Sequence, residues 1–528
     1  AEVLKKIQSL GDMRSGSLSI RYQRCGKSPC ICDDPKHSGH GPIYSLSTVV
    51  SGKTKIKNYK IGRELNKLQK EIESYQTFKK LSKELISTSN QICELRPVSE
   101  IENENELGVN LSFKDKEKIG HFDLESIEMG IRSAMHDIGS VMMEKLLNSD
   151  RGDYKGRSIP CEKGHAYEFK EYRDKKLLTV LGPVTIKRSY YYDKECRDGY
   201  CPKDRDLGIE ETSFSPGVKR MMSRVGTYRP FALGHEDLKE MAGISVDTKE
   251  IERTSNQSGE QVEQFFNETP TTAPSDNIIP IKKVPVMYIC MDGTGVPVVK
   301  SETANRKVKL GCVFTQTSVD EKGYPVRDEM STSYVGAIET AGEFSSRIYS
   351  ESIRRGVQRA AKVCVIGDGA SWIWNIADEQ FYGAIQIIDL YHAREHYWKA
   401  AKIAFSDEKE RKEWAHKRRK ELNLGQVEKV VKAISELPAS SQEEKELLEK
   451  EANYFDNNKK RMRYNKFRKE GLFVGSGVLE AGCRTVIGQR LKQSGMHWTV
   501  KGANNIIALC CCFYSDRWED FWEHRVCA

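Results

Sequence analysis

The chain has 528 residues, 38% of them hydrophobic and 30% charged, and a net charge of +8. That length exceeds one compact core and points to roughly two to four domains of a polar globular protein. No apolar run nears the roughly 18 residues that span a bilayer, and Ala1-Glu-Val-Leu-Lys-Lys6 lacks the apolar core of a signal peptide. The expectation is therefore a cytosolic protein with no membrane partner. The moderate positive charge permits a nucleic-acid partner without demonstrating one. The cysteines number fifteen, an odd count, and Cys290, Cys312, Cys364 and Cys510-Cys511-Cys512 lie in apolar runs. These are expected to be reduced core thiols.

Residues 1–95 are expected to form a basic, Cys-containing domain ending in a long helix. Cys25-x4-Cys30-x-Cys32 is followed by His37 and His40. Cys25, Cys30, Cys32 and His37 are taken as candidate zinc ligands, with free loop thiols as the alternative. Tyr44–Val50 and Thr54–Ile61 read as a hairpin around Ser51-Gly52. Lys53, Lys55 and Lys57 line it, either as phosphate contacts or as a soluble strand edge. Leu65, Leu68, Ile72, Tyr75, Phe78, Leu81 and Leu85 then recur at helical spacing. Residues 96–118, rich in Glu, Asn and Lys, read as a linker.

Residues 119–207 are expected to combine helix with a zinc-ribbon-like hairpin. A strand pair across Leu177–Tyr192 turns at Leu181-Gly182-Pro183, between Cys161-x3-His165 and Cys196-x4-Cys201. Cys161, His165, Cys196 and Cys201 are the candidate zinc ligands, and a metal-free ribbon is the competing view. Residues 208–269 read as helical. Within them Glu236–Arg253 breaks at Ala242-Gly243-Ile244 and restarts behind Ser245 or Asp247, as a helix-turn-helix would, or an ordinary helical hairpin. Thr269–Asp276 reads as a linker.

From 280 to 404 the pattern changes to alternating strands and helices. Val284–Met291 is almost unbroken apolar sequence and ends in Asp292-Gly-Thr-Gly. Such a run suits a strand buried on both faces, and an ionised carboxylate at its end needs a partner or a metal. Lys307–Ser318 and Met330–Val335 read as strands and Glu339–Ala361 as a helix. Lys362–Ile366 is a strand ending in Gly-Asp368-Gly, followed by a helix over Ser371–Gln380. Ala384–Ile388 is a strand ending in Asp389, with a helix through His392 and His396. In α/β sheets sites gather at the carboxyl ends of strands, which Asp292, Asp368 and Asp389 would share. Residues 405–466 read as an α-helical insertion broken near Leu437-Pro438. Residues 467–528 return to the α/β core, with Glu480 in the first turns of a helix and an apolar tail helix over Ala503–Trp522.

Asp292, Asp368 and Glu480 stand out as a strand–strand–helix set able to hold two Mg²⁺ (or Mn²⁺) ions for phosphodiester chemistry. Singly, each aspartate is equally a helix cap or turn former. No phosphate-binding glycine loop follows a strand, which argues against an NTPase or dinucleotide enzyme. Arg484, Arg490, Lys492, His497 and Trp498 follow Glu480 closely. They are candidates to hold phosphates or stack on an unpaired base, or form a solvated basic face.

Met291-Asp-Gly-Thr-Gly295, Ile366-Gly-Asp-Gly-Ala-Ser-Trp-Ile-Trp-Asn375, Ile388-Asp-Leu-Tyr-His-Ala-Arg-Glu-His396 and Gly475–Glu480 through Met496-His-Trp498 resemble the ISKra family of bacterial insertion-sequence transposases. The resemblance runs over about 120–525. It implies an α/β fold with an RNase H-like catalytic core, interrupted by the α-helical insertion and preceded by zinc-ribbon-like and helical DNA-binding modules. It also implies a DDE triad of Asp292, Asp368 and Glu480, with His392 as an accessory residue. The implied activity is Mg²⁺-dependent cleavage and strand transfer on double-stranded DNA at transposon ends and target, by a homodimer or larger oligomer at the bacterial nucleoid. A DNA-binding derivative without catalysis and an RNase H-like nuclease are the alternatives. The sequence departs from the family in its ribbon, where Asp193 stands in the place of one cysteine and His165 in that of another.

Overall fold

The computed structural model describes residues 6–7, 9–27, 29–34, 36–50, 53–95, 124–149, 153–161, 163–268, 284–299 and 307–527. The linkers expected at 96–118 and 269–276 lie outside them. The chain divides into two compact units, Ala1–Gly108 and Val109–Ala528. Among the described residues no helix is long and apolar enough to cross a membrane.

The first unit holds an antiparallel sheet of β1 (Ser17–Gln23), β2 (His40–Val50) and β3 (Lys53–Tyr59), in that order. The expected hairpin forms, with Val50 opposite Lys53. Its first strand begins earlier than the pattern predicts, because His40 pairs with Gln23 across the sheet. Behind it, Arg63–Leu95 is helical and buries Leu65, Leu68 and Ile72 against Leu46. Glu71, on the buried side of this helix, is answered by Arg14 at 2.8 Å.

In the second unit, β4 (Ser158–Pro160), β5 (Ala166–Thr179), β6 (Gly182–Asp193) and β7 (Asp198–Tyr200) pair in sequence order. Leu177, Val184 and Ile186 fill one face together with Met143 and Leu147 of the Leu124–Ser149 helix. The two long strands exceed the predicted pair because charged outer positions still pair across the ladder. Arg173, for example, stacks 3.5 Å from the ring centre of Tyr190.

Helices follow over Pro216–Tyr228, Phe231–Ala242 and Thr248–Glu268. The predicted break forms at Gly243, whose φ of 68° suits a residue without Cβ. Asp247 caps the next helix, accepting from the Lys249 amide at 2.8 Å. That helix serves as a wall of the core. Ser258 meets Ser223 at 2.8 Å, and Gly259 lies so close to the Val500–Tyr514 helix that a Cβ would sit 2.2 Å from the Asn505 carbonyl oxygen. Its exposed charged positions are Lys249, Glu252, Arg253, Glu260 and Glu268.

The main sheet contains β8 (Val284–Gly295), β9 (Lys307–Gln316), β12 (Ser333–Ala337), β13 (Ala360–Gly367) and β14 (Ile385–Ile388). A small hairpin of β10 (Ser318–Val319) and β11 (Pro325–Val326) lies between β9 and β12. The order is β12-β9-β8-β13-β14. The first three strands are antiparallel, while β8, β13 and β14 run parallel. Met287–Met291 of central β8 are fully buried, as an unbroken apolar run on both faces requires.

Several boundaries differ from prediction. The helix expected over Glu339–Ala361 is Ala341–Arg354, opened by a Thr340/Glu343 capping box and followed by a turn at Gly356 (φ 84°). The strand expected at Met330–Val335 lies at Ser333–Ala337, where β9 supplies its partners. The tail is two helices, Val500–Tyr514 and Trp518–Cys527, because Asp516 takes a left-handed φ of 58° and Ser515 accepts from the Tyr334 amide.

The insertion is helical, over Glu408–Asn423, Val427–Ser435, Gln442–Asn458 and Tyr464–Lys469, with a break after Ser435. It packs as part of the main core through Ala415, Leu422, Val430, Leu448 and Phe455. The Tyr464 hydroxyl donates to the carbonyl of Ile388, the last residue of β14, at 3.1 Å.

Candidate active site and metal centres

The register of the parallel strands sets three acids in one row. Met291 pairs with Gly367, and Gly367 with Ile388, so Asp292, Asp368 and Asp389 each follow the same rung. This is the carboxyl edge, where side chains leave the sheet without its backbone to cover them.

Asp389 is 2% exposed and spends both oxygens locally. Oδ1 accepts from the His392 amide at 2.8 Å, capping the Leu390–Ala404 helix, and Oδ2 accepts from the Ser476 amide. The Leu390 amide adds a bond to the Val474 carbonyl at 2.9 Å. Asp389 thus fastens the segment that leads into the Gly477–Gly482 helix, and Glu480 on that helix is delivered to the same edge. One turn later the helix widens into a π segment over Cys483–Gly488, where Cys483 Sγ donates to Asp292 Oδ2 at 3.5 Å.

The titration behaviour reflects this crowding. Burial raises the Asp292 carboxyl above the ordinary carboxylate range, the Gly293 amide at 2.6 Å opposes it, and the charge of Asp368 adds to the rise. Glu480 is raised by burial and then by the charges of Asp389, Glu395 and Asp292. His392 lies near enough to lower both. Asp292 thus interacts with Asp368, Glu480 and His392, all predicted from distant stretches, although the three carboxylates are not among the donor groups that gather within 4.8 Å in the described residues.

Other participants carried no sequence signal. Tyr454, on the insertion helix Gln442–Asn458, donates its hydroxyl to the Asp368 carbonyl at 2.8 Å. Its ring stacks 3.6 Å from that of His396, which in turn meets Glu451 at 2.5 Å. Gly369, at φ +109°, admits the tyrosine, because a Cβ there would stand 2.7 Å from the ring. The insertion thus braces the main chain that carries Asp368.

The basic residues after Glu480 divide. Arg484, Lys492 and His497 are exposed, and Lys492 Nζ donates to Thr294 Oγ1 beside the acid row. Arg490 is 1% exposed, donates Nε to the Gly226 carbonyl at 2.7 Å and lies 4.6 and 4.9 Å from the Phe231 and Trp498 ring centres. Trp498 is also buried, with its indole N–H donated to the Leu491 carbonyl at 3.1 Å. The phosphate and base contacts predicted for Arg490 and Trp498 are replaced by a packed cation–π core. In the first unit Lys55 and Lys57 are exposed, with Lys57 over the Tyr59 ring, and Lys53 opens β3.

The model of an uncharacterised protein family, UPF0236, matches residues 119–517. The chain belongs to that family. The matched span of this UPF0236 protein takes in every acid of the row and Glu480. Among solved structures, the Drosophila P element transposase strand transfer complex is similar at 11% identity, over 60% of this chain and 83% of that chain, with a TM-score of 0.23. No curated protein matches the sequence.

Two further groups of side chains in this UPF0236 chain could each hold a metal ion. Cys25, Cys30, Cys32 and His40 bring four donor atoms within 4.8 Å of one another, and Cys30 Sγ lies 2.9 Å from His40 Nε2. Three thiolates and an imidazole suit a structural zinc. The fourth donor is His40 rather than His37, whose Nδ1 accepts from the Gly39 amide at 3.1 Å. At the turns of the four-stranded sheet β4-β5-β6-β7, Cys161 and Cys196 come together with Asp193. Cys201 stands outside that group, half-buried at the start of the Pro202–Asp206 helix, where burial raises its thiol.

Proposed function

We propose that this UPF0236 protein is a DDE transposase, a divalent-metal-dependent enzyme of DNA strand cleavage and strand transfer. The observation that carries the proposal is that Asp292 and Asp368 follow one rung of two adjacent parallel strands and that Glu480, on a helix, lies near enough to Asp292 for the charge of Asp292 to raise it. The strand order, three antiparallel strands followed by two parallel ones, supports an RNase H-like reading of the core. Burial and mutual repulsion hold Asp292 and Glu480 reluctant to ionise, so these oxygens favour a partner that neutralises them. The donor set is all carboxylate, which fits Mg²⁺ or Mn²⁺. Divalent ions there would activate an attacking oxygen and stabilise a leaving one.

The chain's own groups do the rest. Asp389 and the Ser476 amide fix the approach of Glu480, and Tyr454 fixes the main chain at Asp368. His392 stands beside Asp292 and Glu480, where it can take or give a proton at a DNA oxygen. Lys492 and Arg484, exposed near the edge, supply positive charge for a phosphate backbone. Recognition of the element's ends by the N-terminal modules, and an oligomer that pairs two ends, belong to the same proposal.

Asp292→Asn and Glu480→Gln should each abolish Mg²⁺-dependent nicking of a duplex carrying the element's terminal repeats while end binding persists. Nicking at the wild-type rate by either variant would overturn the assignment.

A further inference from the structure

The orphaned carboxylate oxygen of Asp193 points to a metal site of unusual composition. Asp193, the last residue of β6, is 2% exposed. Its Oδ1 accepts from the Glu195 and Cys196 amides at 2.9 and 3.1 Å. Its Oδ2 is buried with no hydrogen-bond partner, an arrangement that is costly unless something answers it. Three potential metal donors, Cys161, Cys196 and His165, lie close to this carboxylate. Cys161 Sγ lies 3.7 Å from Cys196 Sγ, His165 Nδ1 lies 3.3 Å from Cys196 Sγ, and His165 Nδ1 lies 3.8 Å from Asp193 Oδ2.

These separations decide the matter. A tetrahedral zinc with bonds of about 2.0–2.3 Å has ligand–ligand edges of about 3.3–3.8 Å. These three separations fall in that range, and the Cys161, Asp193 and Cys196 donors all lie within 4.8 Å of one another, a group that His165 joins through Cys196 and Asp193 but not through Cys161. We propose that Cys161, Asp193 and Cys196 bind one Zn²⁺, with the neighbouring His165 turning in to close the fourth position and Cys201 left outside the site.

The position of the site explains why a metal is needed. Cys161 and His165 lie on the turn between β4 and β5, Asp193 ends β6, and Cys196 lies on the turn between β6 and β7. The outer strands β4 and β7 have three residues each, too few to hold themselves to a sheet edge. An ion between the turns ties both ends of the sheet together. A cavity of about 710 Å³, lined in part by Cys161, Tyr167 and Cys196, leads to the thiolates and gives the ion a path in.

Zinc per full-length chain, measured after passage through a chelator, tests the proposal. The wild type should retain about two zinc ions, one here and one at Cys25, Cys30, Cys32 and His40. Asp193→Asn keeps an acceptor for the two amides but supplies a poor ligand, so it should lose one zinc. Cys201→Ser should keep both, and Cys32→Ser should lose only the other. Asp193→Cys in a Cys32→Ser background, loaded with Co²⁺, should keep the metal and raise the thiolate-to-cobalt absorption by about half, as two thiolates become three. Retention of both zinc ions by Asp193→Asn, loss of one by Cys201→Ser, or no cobalt band from the Cys32→Ser chain would each overturn it.

Discussion

Removing the charge of Asp292 should stabilise the metal-free protein, which is the opposite of what a structural carboxylate would do. Asp292 and Asp368 follow paired residues on adjacent strands, whose backbones run about 4.8 Å apart. Two unit charges about 6 Å apart repel by about 3 kcal/mol at an effective dielectric near 20. Partial solvent access at the edge cuts this to about 1–2 kcal/mol. In Asp292→Asn the new side chain still accepts from the Gly293 amide and gives up the weak thiol contact to Cys483 and the attraction of His392, both smaller than the repulsion from Asp368. The sign with pH follows from the raised carboxyl of Asp292. The stability gained by protonating it is fully present below its unfolded pKa of about 3.9 and is lost as pH rises through the higher folded value. The variant's advantage in urea unfolding with chelator present should therefore be near zero around pH 4 and largest near pH 8. Mn²⁺ should reverse the order, because the wild type gains about 2.7 kcal/mol at 100 times its Kd and the variant much less. An Asp292→Asn protein no more stable than wild type in chelator, with an undiminished gain from Mn²⁺, would refute the reasoning.

Asp389→Asn should cost about 1–3 kcal/mol, since one of the two amides it satisfies would then face an NH₂ group. It should also weaken Mn²⁺ binding followed by calorimetry, because the approach of Glu480 loosens. The two arginines after Glu480 should separate cleanly. Arg490→Ala should destabilise by about 3 kcal/mol or more, through an emptied space between Phe231 and Trp498 and an unpaired Gly226 carbonyl. Arg484→Ala should leave unfolding within about 0.5 kcal/mol and lower the salt dependence of DNA binding by about one ion. A salt-slope change from Arg490→Ala with no loss of stability would contradict its burial.

The sequence carried the acids well because each sits where a period changes. Asp292 and Asp368 end apolar runs beside glycine, and the parallel register then fixes them on one rung. Glu480 was recognisable only as an acid at a helix start behind an insertion, and its meeting with Asp292 depends on contacts across 188 positions (480 − 292). Tyr454 was invisible because its helix is charged on several faces, and nothing local marks the one side that meets Asp368. Arg490 and Trp498 misled for a related reason. A basic–aromatic string has the same composition whether it faces a phosphate or folds into a cation–π stack, and only the position of Phe231, 259 residues upstream (490 − 231), distinguishes them. His37 and His40 compete for one vacancy on equal local terms, and the pairing of β2 with β1 selects His40.

The brace from Tyr454 also determines where this chain tolerates being cut, lengthened or tagged. Excising 405–466 as a cassette would remove the hydroxyls that hold the Asp368 and Ile388 carbonyls and take Glu451 and Tyr454 away from His396. The turn Pro438–Ser441 is different. Its residues are exposed and lie between Val427–Ser435 and Gln442–Asn458, so a peptide inserted there lengthens a loop at small entropic cost. A fluorophore or affinity handle placed in that turn would report on the insertion while leaving the acid row undisturbed.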